Sequence, residues 1–167
     1  TETLYNYFSS QHADVFVMPT LGQHKPHTPE QNKKMFGSIP EDRILKHDCV
    51  NDAKTVGSLP SSYVSAIMDG KADWEIPISI NKVLFDEPWD IIISVGQVVP
   101  HEVVGFANHN KNFIIGIGGR DTIAATHMAS ACYGIENTMG KILTPLRSCF
   151  NKAENEFLSS LPKVYKI

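Results

Sequence analysis

The sequence has no long apolar run, no run of like charge and few cysteines, and each absence argues against a class of protein. No stretch approaches the roughly 20 apolar residues that a membrane-spanning helix needs, and no signal-peptide pattern opens the chain. The three cysteines are odd in number and lack CxxC spacing, which argues against a disulfide framework or a thiolate metal site. The formal net charge of −3 forms no basic stripe, so a nucleic-acid partner is not expected. A cytoplasmic protein that acts on small molecules fits these absences best.

The pattern of short strand-like and helical segments predicts the fold class. With 167 residues the chain is long enough for one domain with its own core. Short β-rich runs alternate with helical periodicity, which is typical of an α/β fold with a mostly parallel, Rossmann-like sheet and helices on both faces. The predicted strands are Val15–Pro19, Ile44–Asp48, Asp90–Val95, which we expect to be buried on both faces, and Ile76–Phe85, for which an edge strand or hairpin arm is the alternative. The predicted helices are Pro29–Phe36, Arg120–Cys132 and Leu143–Leu161, and residues Val50–Trp74 are predicted to form a loop that could carry a lid.

Both ends of the chain have the character of regular elements. Leu4, Tyr5 and Phe8 have the spacing of the end of an amphipathic helix, and Val164–Ile167 has the character of a strand. We therefore expect residues 1–167 to be a single domain that forms part of a longer polypeptide.

Two histidines follow predicted strands, at positions where ligands gather. In an open α/β sheet the ligand crevice lies at the carboxyl ends of the strands. His24 follows Val15–Pro19 in a polar turn, and His101 follows Asp90–Val95 after Gly96. Imidazole has the side-chain pKa nearest neutrality, which suits a proton acceptor that must be regenerated in each turnover. A surface histidine that caps a neighbouring group is the alternative for His24.

A lysine and a third histidine lie further along the chain. The segment that ends at Lys111 is dense in amide side chains, which is typical either of an anion-binding turn or of a solvated loop. His127 falls on a predicted apolar stripe, where imidazole is either a core residue or a ligand for a metal such as nickel, copper, zinc or iron. The other members of this stripe are Ile123, Ala124, Met128 and Ala131. The sequence Gly-Ile-Gly-Gly at 116–119 is a weak candidate for a phosphate-binding turn, because it lacks the GxGxxG pattern.

The order and spacing of these motifs resemble the N-terminal domain of the nickel-pincer-nucleotide-dependent lactate racemase family, over most of the chain. Gly22–Pro26 has the family's Gly-x-His-(Arg/Lys)-Pro form, and Ser94–Gly96 followed by His101 matches its later strand end. A Gly-Phe pair, a lysine five residues beyond the Phe, and a histidine sixteen residues beyond that lysine complete the pattern, and here these residues are Gly105, Phe106, Lys111 and His127.

The resemblance implies a function and a role for each matched residue. The family inverts 2-hydroxy acids by hydride transfer to a nickel-pincer nucleotide, Ni(II)-pyridinium-3,5-bisthiocarboxylic acid mononucleotide. The implied roles are two acid–base residues, His24 and His101, a covalent cofactor tether, Lys111, a nickel ligand, His127, and further cofactor contacts, Gly105 and Phe106. The resemblance also implies cofactor-maturation proteins as partners, and a missing C-terminal domain that closes over the site. We therefore expect the isolated chain to be without cofactor and inactive.

Two departures from the family pattern bear on the substrate. The family's Ser-Gly-Gly-Arg-Lys is Ala107–Lys111 here, with the sequence Ala-Asn-His-Asn-Lys, and its following Pro-Gly pair is Ile115–Gly116. The bulkier and more polar residues predict a homologue that is not specific for lactate and acts on a lactate-like or sugar acid.

Two other functions stay open at this point. A non-catalytic nucleotide- or metal-binding module would use Lys111 and the glycines at 116–119 to hold a phosphate. A zinc hydrolase would use His24, His101 and His127 as three convergent ligands with one open position, although no HExxH pattern supports it.

Overall fold

Helices and short strands alternate along the chain, and the computed structural model describes all residues from Thr1 to Ile167. The helices are α1 (Glu2–Ser10), α2 (Pro29–Phe36), α3 (Ser61–Ile67), α4 (Val83–Asp86), α5 (Arg120–Tyr133) and α6 (Pro145–Phe157). The strands are β1 (Ala53–Leu59), β2 (Ile76–Asn81), β3 (Ile91–Ser94), β4 (Pro100–His101), β5 (Gly105–Phe106) and β6 (Lys163–Lys166). A π-helical turn covers Asn112–Gly116. None of the helices combines the length and apolarity that crossing a membrane requires.

The strands form three two-stranded sheets instead of one continuous sheet. β1 pairs antiparallel with β2, β4 pairs antiparallel with β5, and β3 pairs parallel with β6. The α/β class is therefore confirmed, whereas a predominance of parallel strands is not found. β3 also lacks the expected burial on both faces, since Ile91 is 48% exposed.

The segments predicted as strands at Val15–Pro19 and Ile44–Asp48 meet at one parallel bridge only, between Val17 and Ile44. The Leu45 N–H donates to the Val17 carbonyl at 2.8 Å. The pairing then ends because the Asp48 carboxylate accepts hydrogen bonds from main-chain N–H groups two and three residues later, which turns the chain. The prediction of two full strands is therefore wrong in extent.

The prediction of a loop over Val50–Trp74 is wrong, because this range contains β1 and α3. Gly57 lies at an irregularity in the β1–β2 register, and a Cβ there would come within 2.3 Å of the Phe157 ring. Glycine thus allows α6 to pack closely on β1. Pro60 is the N-cap of α3, so it begins a helix. Gly57 and Pro60 both resemble loop residues in the sequence. In the structure Gly57 is needed for close packing, and Pro60 begins a helix.

β2 is the centre of the core. Ile76, Ile78 and Ile80 are all fully buried, and α5 and α6 contact the β1–β2 pair. The predicted strand Ile76–Phe85 ends early, at Asn81, whose side-chain oxygen accepts the Val83 N–H at 3.0 Å at the start of α4. β2 pairs antiparallel with β1, as the hairpin-arm alternative predicts, but it is buried like a central strand.

The predicted helices are present, with small changes at their ends. α2 has the predicted bounds and a full capping box between Thr28 and Gln31. α6 begins at Pro145, later than predicted, because the Thr144 hydroxyl caps it by accepting the Arg147 N–H at 3.1 Å. The expected terminal elements are also found, as α1 and β6.

α5 buries a different face from the predicted one. Of the predicted stripe only Ile123 is buried, whereas Ala124, His127, Met128 and Ala131 are exposed. The buried face carries Thr122, Thr126, Ala129 and Ser130. The Thr122 hydroxyl donates to the Pro77 carbonyl at 2.7 Å and accepts the Ser79 N–H at 2.9 Å, which attaches α5 to β2. Because its hydroxyls are satisfied, a polar face is buried and His127 is left on the accessible side.

Replacing Thr122 by valine should cost more stability than the same change at Thr126. Thr122→Val leaves a buried N–H and a buried carbonyl without a partner, so the free energy of unfolding should fall by about 2 kcal/mol. The Thr126 hydroxyl donates only to carbonyls of α5 itself, so Thr126→Val should cost less than about 1 kcal/mol. Urea denaturation measures both. Equal losses would show that the bond to β2 adds nothing beyond side-chain packing.

Candidate functional site

The segment before Lys111 has an unusual backbone conformation. In this lysine loop, residues 107–111, Asn108 has φ of 68° and His109 has φ of 56°. Few residues other than glycine adopt this left-handed region, and asparagine and histidine are among those that do. The resembled family has glycine at both positions. The substituted residues therefore preserve the turn that presents Lys111.

Side-chain amides attach the lysine loop to the ends of β3 and β6. The Asn108 amide donates to the carbonyls of Gly96, at 2.9 Å, and Ile167, at 3.1 Å. The Asn112 amide donates to the Asn108 side-chain oxygen and to the Ser94 hydroxyl, both at 2.9 Å. Asn108 is only 3% exposed. The amides that suggested an anion-binding or solvated loop therefore serve as internal supports.

Lys111 is half-buried at the end of this loop. Burial lowers the pKa of its amine, Glu102 opposes that shift, and the positive charge of Arg147 adds to it. A lysine with a lowered pKa has a larger neutral fraction at a given pH, and the neutral amine is the nucleophilic form.

His101 lies in the same neighbourhood as Lys111. Burial lowers the pKa of its imidazole, and the charge of Lys111 is the next largest cause; Glu102 raises this pKa, and His127 lowers it slightly. His101 is therefore close enough to Lys111 and to His127 for both to act on it electrostatically. The His101 Nδ1 accepts the Val103 N–H at 3.1 Å and lies 3.7 Å from a Glu102 carboxylate oxygen.

His127 projects from the exposed face of α5 with one ring nitrogen already engaged. Its Nδ1 lies 2.7 Å from the Ile123 carbonyl, and a donated bond there places the ring proton on Nδ1. Nε2 then carries a lone pair and makes no hydrogen bond within the chain. This is the usual arrangement of a metal-ligating histidine, whose second nitrogen donates to a carbonyl or carboxylate.

The three candidate histidines do not converge on one metal ion. No group of three or more His, Cys, Asp or Glu side chains is placed to hold a metal. The zinc hydrolase hypothesis, which needs three protein ligands, is therefore contradicted. A metal at His127 would need its remaining ligands from outside the chain.

His24 lies in an exposed turn that packs on the segment after Lys111. Gly22 has φ of 58°, and its N–H donates to the Gly116 carbonyl at 2.7 Å. A Cβ on Gly116 would come within 2.5 Å of the Thr20 Cβ, so glycine is needed for this close approach. The main chain thus joins the His24 turn to the lysine segment, while the His24 side chain forms no hydrogen bond or ion pair with the other candidates.

The remaining glycines have structural explanations. Gly105 has φ of 86°, and a Cβ there would lie 1.9 Å from the Lys141 carbonyl oxygen. Cofactor contacts by Gly105 and its neighbour Phe106 stay predictions. The main-chain N–H groups of Ile117, Gly118 and Gly119 all donate to protein carbonyls at 2.8–3.1 Å. The weak candidate for a phosphate-binding turn at 116–119 is therefore not supported, because these donors are already used, and the turn role is the one that the hydrogen bonds favour.

Sequence patterns miss two charged residues that act on Lys111. Glu102 directly follows His101, and this adjacency is its one sequence signal. Arg147 is in α6 and bonds to Asn110, 37 residues earlier in the chain. Only the tertiary fold brings Arg147 to the lysine loop.

Comparison with known proteins gives a consistent set of relatives. The family model for the lactate racemase N-terminal domain matches residues 2–140. The lactate racemase of Thermoanaerobacterium thermosaccharolyticum is 27% identical over 119 residues, which cover 69% of this chain and 24% of that protein.

Two solved structures resemble the fold. A crystal structure of a Thermotoga maritima protein has a TM-score of 0.79 and 29% identity, and the match covers 91% of this chain and 37% of that one. The lactate racemase apoprotein of T. thermosaccharolyticum has a TM-score of 0.70 and 21% identity, covering 92% and 36%. The chain therefore spans a quarter to little more than a third of the length of these relatives.

Two substitutions at Asn108 should separate backbone strain from lost hydrogen bonds. Asn108→Gly and Asn108→Ala both remove the amide network, but alanine must also hold a left-handed backbone. Asn108→Ala should therefore unfold more easily than Asn108→Gly by about 1 kcal/mol, measured by urea denaturation. An alanine variant as stable as the glycine variant would show that the loop relaxes out of this conformation.

Proposed function

The chain belongs to the lactate racemase N-terminal domain family, and from this membership we propose that it is the cofactor-bearing part of a racemase or epimerase of 2-hydroxy acids. In this proposal residues 1–167 are part of the N-terminal domain of a longer chain, and the 2-hydroxy acid and the cofactor-maturation proteins are its partners. The observation that carries the proposal is that a half-buried amine, Lys111, and an imidazole with an available Nε2, His127, both act electrostatically on His101.

The residues present fit a nickel-pincer nucleotide. His127 would supply the protein ligand to nickel(II), and Lys111, with its lowered pKa, would hold the group covalently. One imidazole ligand from the chain, with no cluster of protein ligands, suits a metal whose other donors belong to the cofactor. The bound cofactor would supply a hydride acceptor for the carbon that bears the substrate hydroxyl.

His101 is equipped to act as an acid or as a base. A neutral ring with its proton on Nε2 accepts the Val103 N–H at Nδ1. In a ring protonated at Nδ1, the Glu102 carboxylate, 3.7 Å away, can approach as the acceptor. Because Nδ1 has a donor and an acceptor beside it, Nε2 can carry either a proton or a lone pair. That freedom is what a residue needs to move the hydroxyl proton in both directions.

His24 is the proposed second acid–base residue. The main-chain bond from Gly22 to Gly116, which follows the lysine loop, supports this role, because it holds the turn next to that segment while the ring stays exposed. Inversion needs a proton acceptor for each enantiomer, which explains why the site would use two histidines. Removing either one should therefore impair racemisation without releasing the cofactor.

The lysine loop bears on the choice of substrate. Asn108 and Asn110 are only 3% and 2% exposed, so these two departures from the family act inside the loop. His109 is exposed, and it is the changed side chain that can reach a substrate. We propose a lactate-like or sugar acid as substrate, with His109 as the contact that differs from the family. The binding-module alternative now depends on Lys111 alone, since the amides at 117–119 are occupied.

Metal and mass analysis of four variants tests the proposal. The full-length protein, produced with nickel and the cofactor-maturation proteins, should carry nickel and a covalent mass increase. Lys111→Ala should lose the mass increase because the tether is gone, and His127→Ala should keep it but lose most of the nickel. Lys141→Ala, which changes an exposed lysine, is the control and should match the wild type.

Three results would contradict the proposal. They are a mass increase that persists in Lys111→Ala, a nickel content that His127→Ala does not change, and a wild type with neither nickel nor adduct. The last result would favour the binding-module alternative.

A further inference from the structure

A single arginine from α6 contacts both sides of the lysine loop. The Arg147 guanidinium donates through Nη2 to the Phe106 carbonyl, which directly precedes the loop. Through Nη1 it donates to the side-chain oxygen of Asn110, the residue before Lys111. Asn110 is only 2% exposed, so this contact lies inside the protein.

Asn110 is itself fixed by α6. Its amide donates to the Asn151 side-chain oxygen at 2.7 Å and to the Glu154 carboxylate at 3.2 Å. Three residues of α6 therefore hold the residue next to Lys111. The position of the lysine backbone depends on this helix as well as on the ends of β3 and β6.

The hydrogen bonds of Arg147 do not require a charged donor. Its two acceptors are a main-chain carbonyl and a side-chain amide oxygen, both neutral, and a neutral donor could satisfy them. None of the ion pairs in the chain includes Arg147, so no carboxylate lies within 4 Å of it. Burial lowers the pKa of this guanidinium, and the charge of Glu154, whose carboxylate bonds to Asn110 and Lys166, raises it. Arginine stays protonated at any physiological pH. Burying a cation whose direct partners are both neutral is costly, which argues for a use of the charge itself.

We infer that Arg147 is the positioning residue of Lys111: it fixes the loop that presents the amine and sets a permanent positive charge beside it. Lys111 forms no ion pair. Glu102 is the carboxylate that acts on its amine and opposes the Arg147 charge, and His101 is the neighbouring imidazole. Burial is the main reason that the pKa of Lys111 is lowered, and the Arg147 charge acts in the same direction. The significance of a reactive amine rests on the proposed function, but the action of Arg147 on Lys111 does not.

The pH dependence of Lys111 acylation tests this inference without any cofactor. The cofactor-free protein is labelled with acetic anhydride between pH 6 and 11, and mass spectrometry of peptides gives the rate at Lys111 and, as an internal control, at the exposed Lys141. Arg147→Met and Arg147→Gln should move the midpoint at Lys111 upward, so that labelling of Lys111 near pH 7 becomes slower relative to labelling of Lys141. Arg147→Lys should keep the midpoint near the wild-type value, because it keeps the charge.

Two results would overturn the inference. One is an unchanged midpoint in both neutral variants. The other is an equal shift in Arg147→Lys, which would mean that loop geometry alone matters. Gln keeps a donor group and is the second neutral variant if Met prevents folding, which circular dichroism checks. Failure of nickel or adduct formation would leave these curves unaffected, so the inference and the proposed function fail by different measurements.

Discussion

The site depends on the hydrogen bonds of the Asn108 side chain. β3 and β6 run parallel, so their carboxyl ends reach the same edge, and one amide can bond to Gly96 after β3 and to Ile167 after β6. The same residue turns the chain in the left-handed conformation that precedes Lys111. Loop conformation, strand pairing and the position of the amine are therefore coupled. A glycine at this position would allow the conformation without the bonds, whereas Asn108 provides both.

A second constraint fixes His127. The Thr122 hydroxyl joins α5 to β2, and this bond decides which face of the helix is buried. His127 consequently lies on the accessible face, with Nδ1 engaged by its own helix. The lysine loop and α5 meet through the π-helical turn and the buried glycines that follow Lys111. The Lys111 amine is thus carried by the lysine loop and the His127 imidazole by α5, and both α5 and the π-helical turn that follows the loop contribute to the same hydrophobic core.

Local signals predicted what is local, and missed what depends on distant contacts. The cap at Thr28 and the motifs around His24, Lys111 and His127 are short sequence patterns, so they can be recognised without knowledge of the fold. The buried face of α5 was not predictable from hydrophobic periodicity, because its threonines are satisfied by β2. Gly57 has the appearance of a loop residue until Phe157 is seen to pack on it. Arg147 has no sequence signal, since the chain folds back to place it.

Lys111 and His127 are the two protein groups that we propose hold one nickel-bearing cofactor. Nickel-edge X-ray absorption of the matured full-length protein tests this most directly, because it identifies the donor atoms around the metal. The predicted spectrum shows sulfur donors and a single imidazole nitrogen, and the nitrogen contribution is absent from the spectrum of the nickel that remains in His127→Ala. Nickel surrounded by several imidazoles and no sulfur would contradict the account.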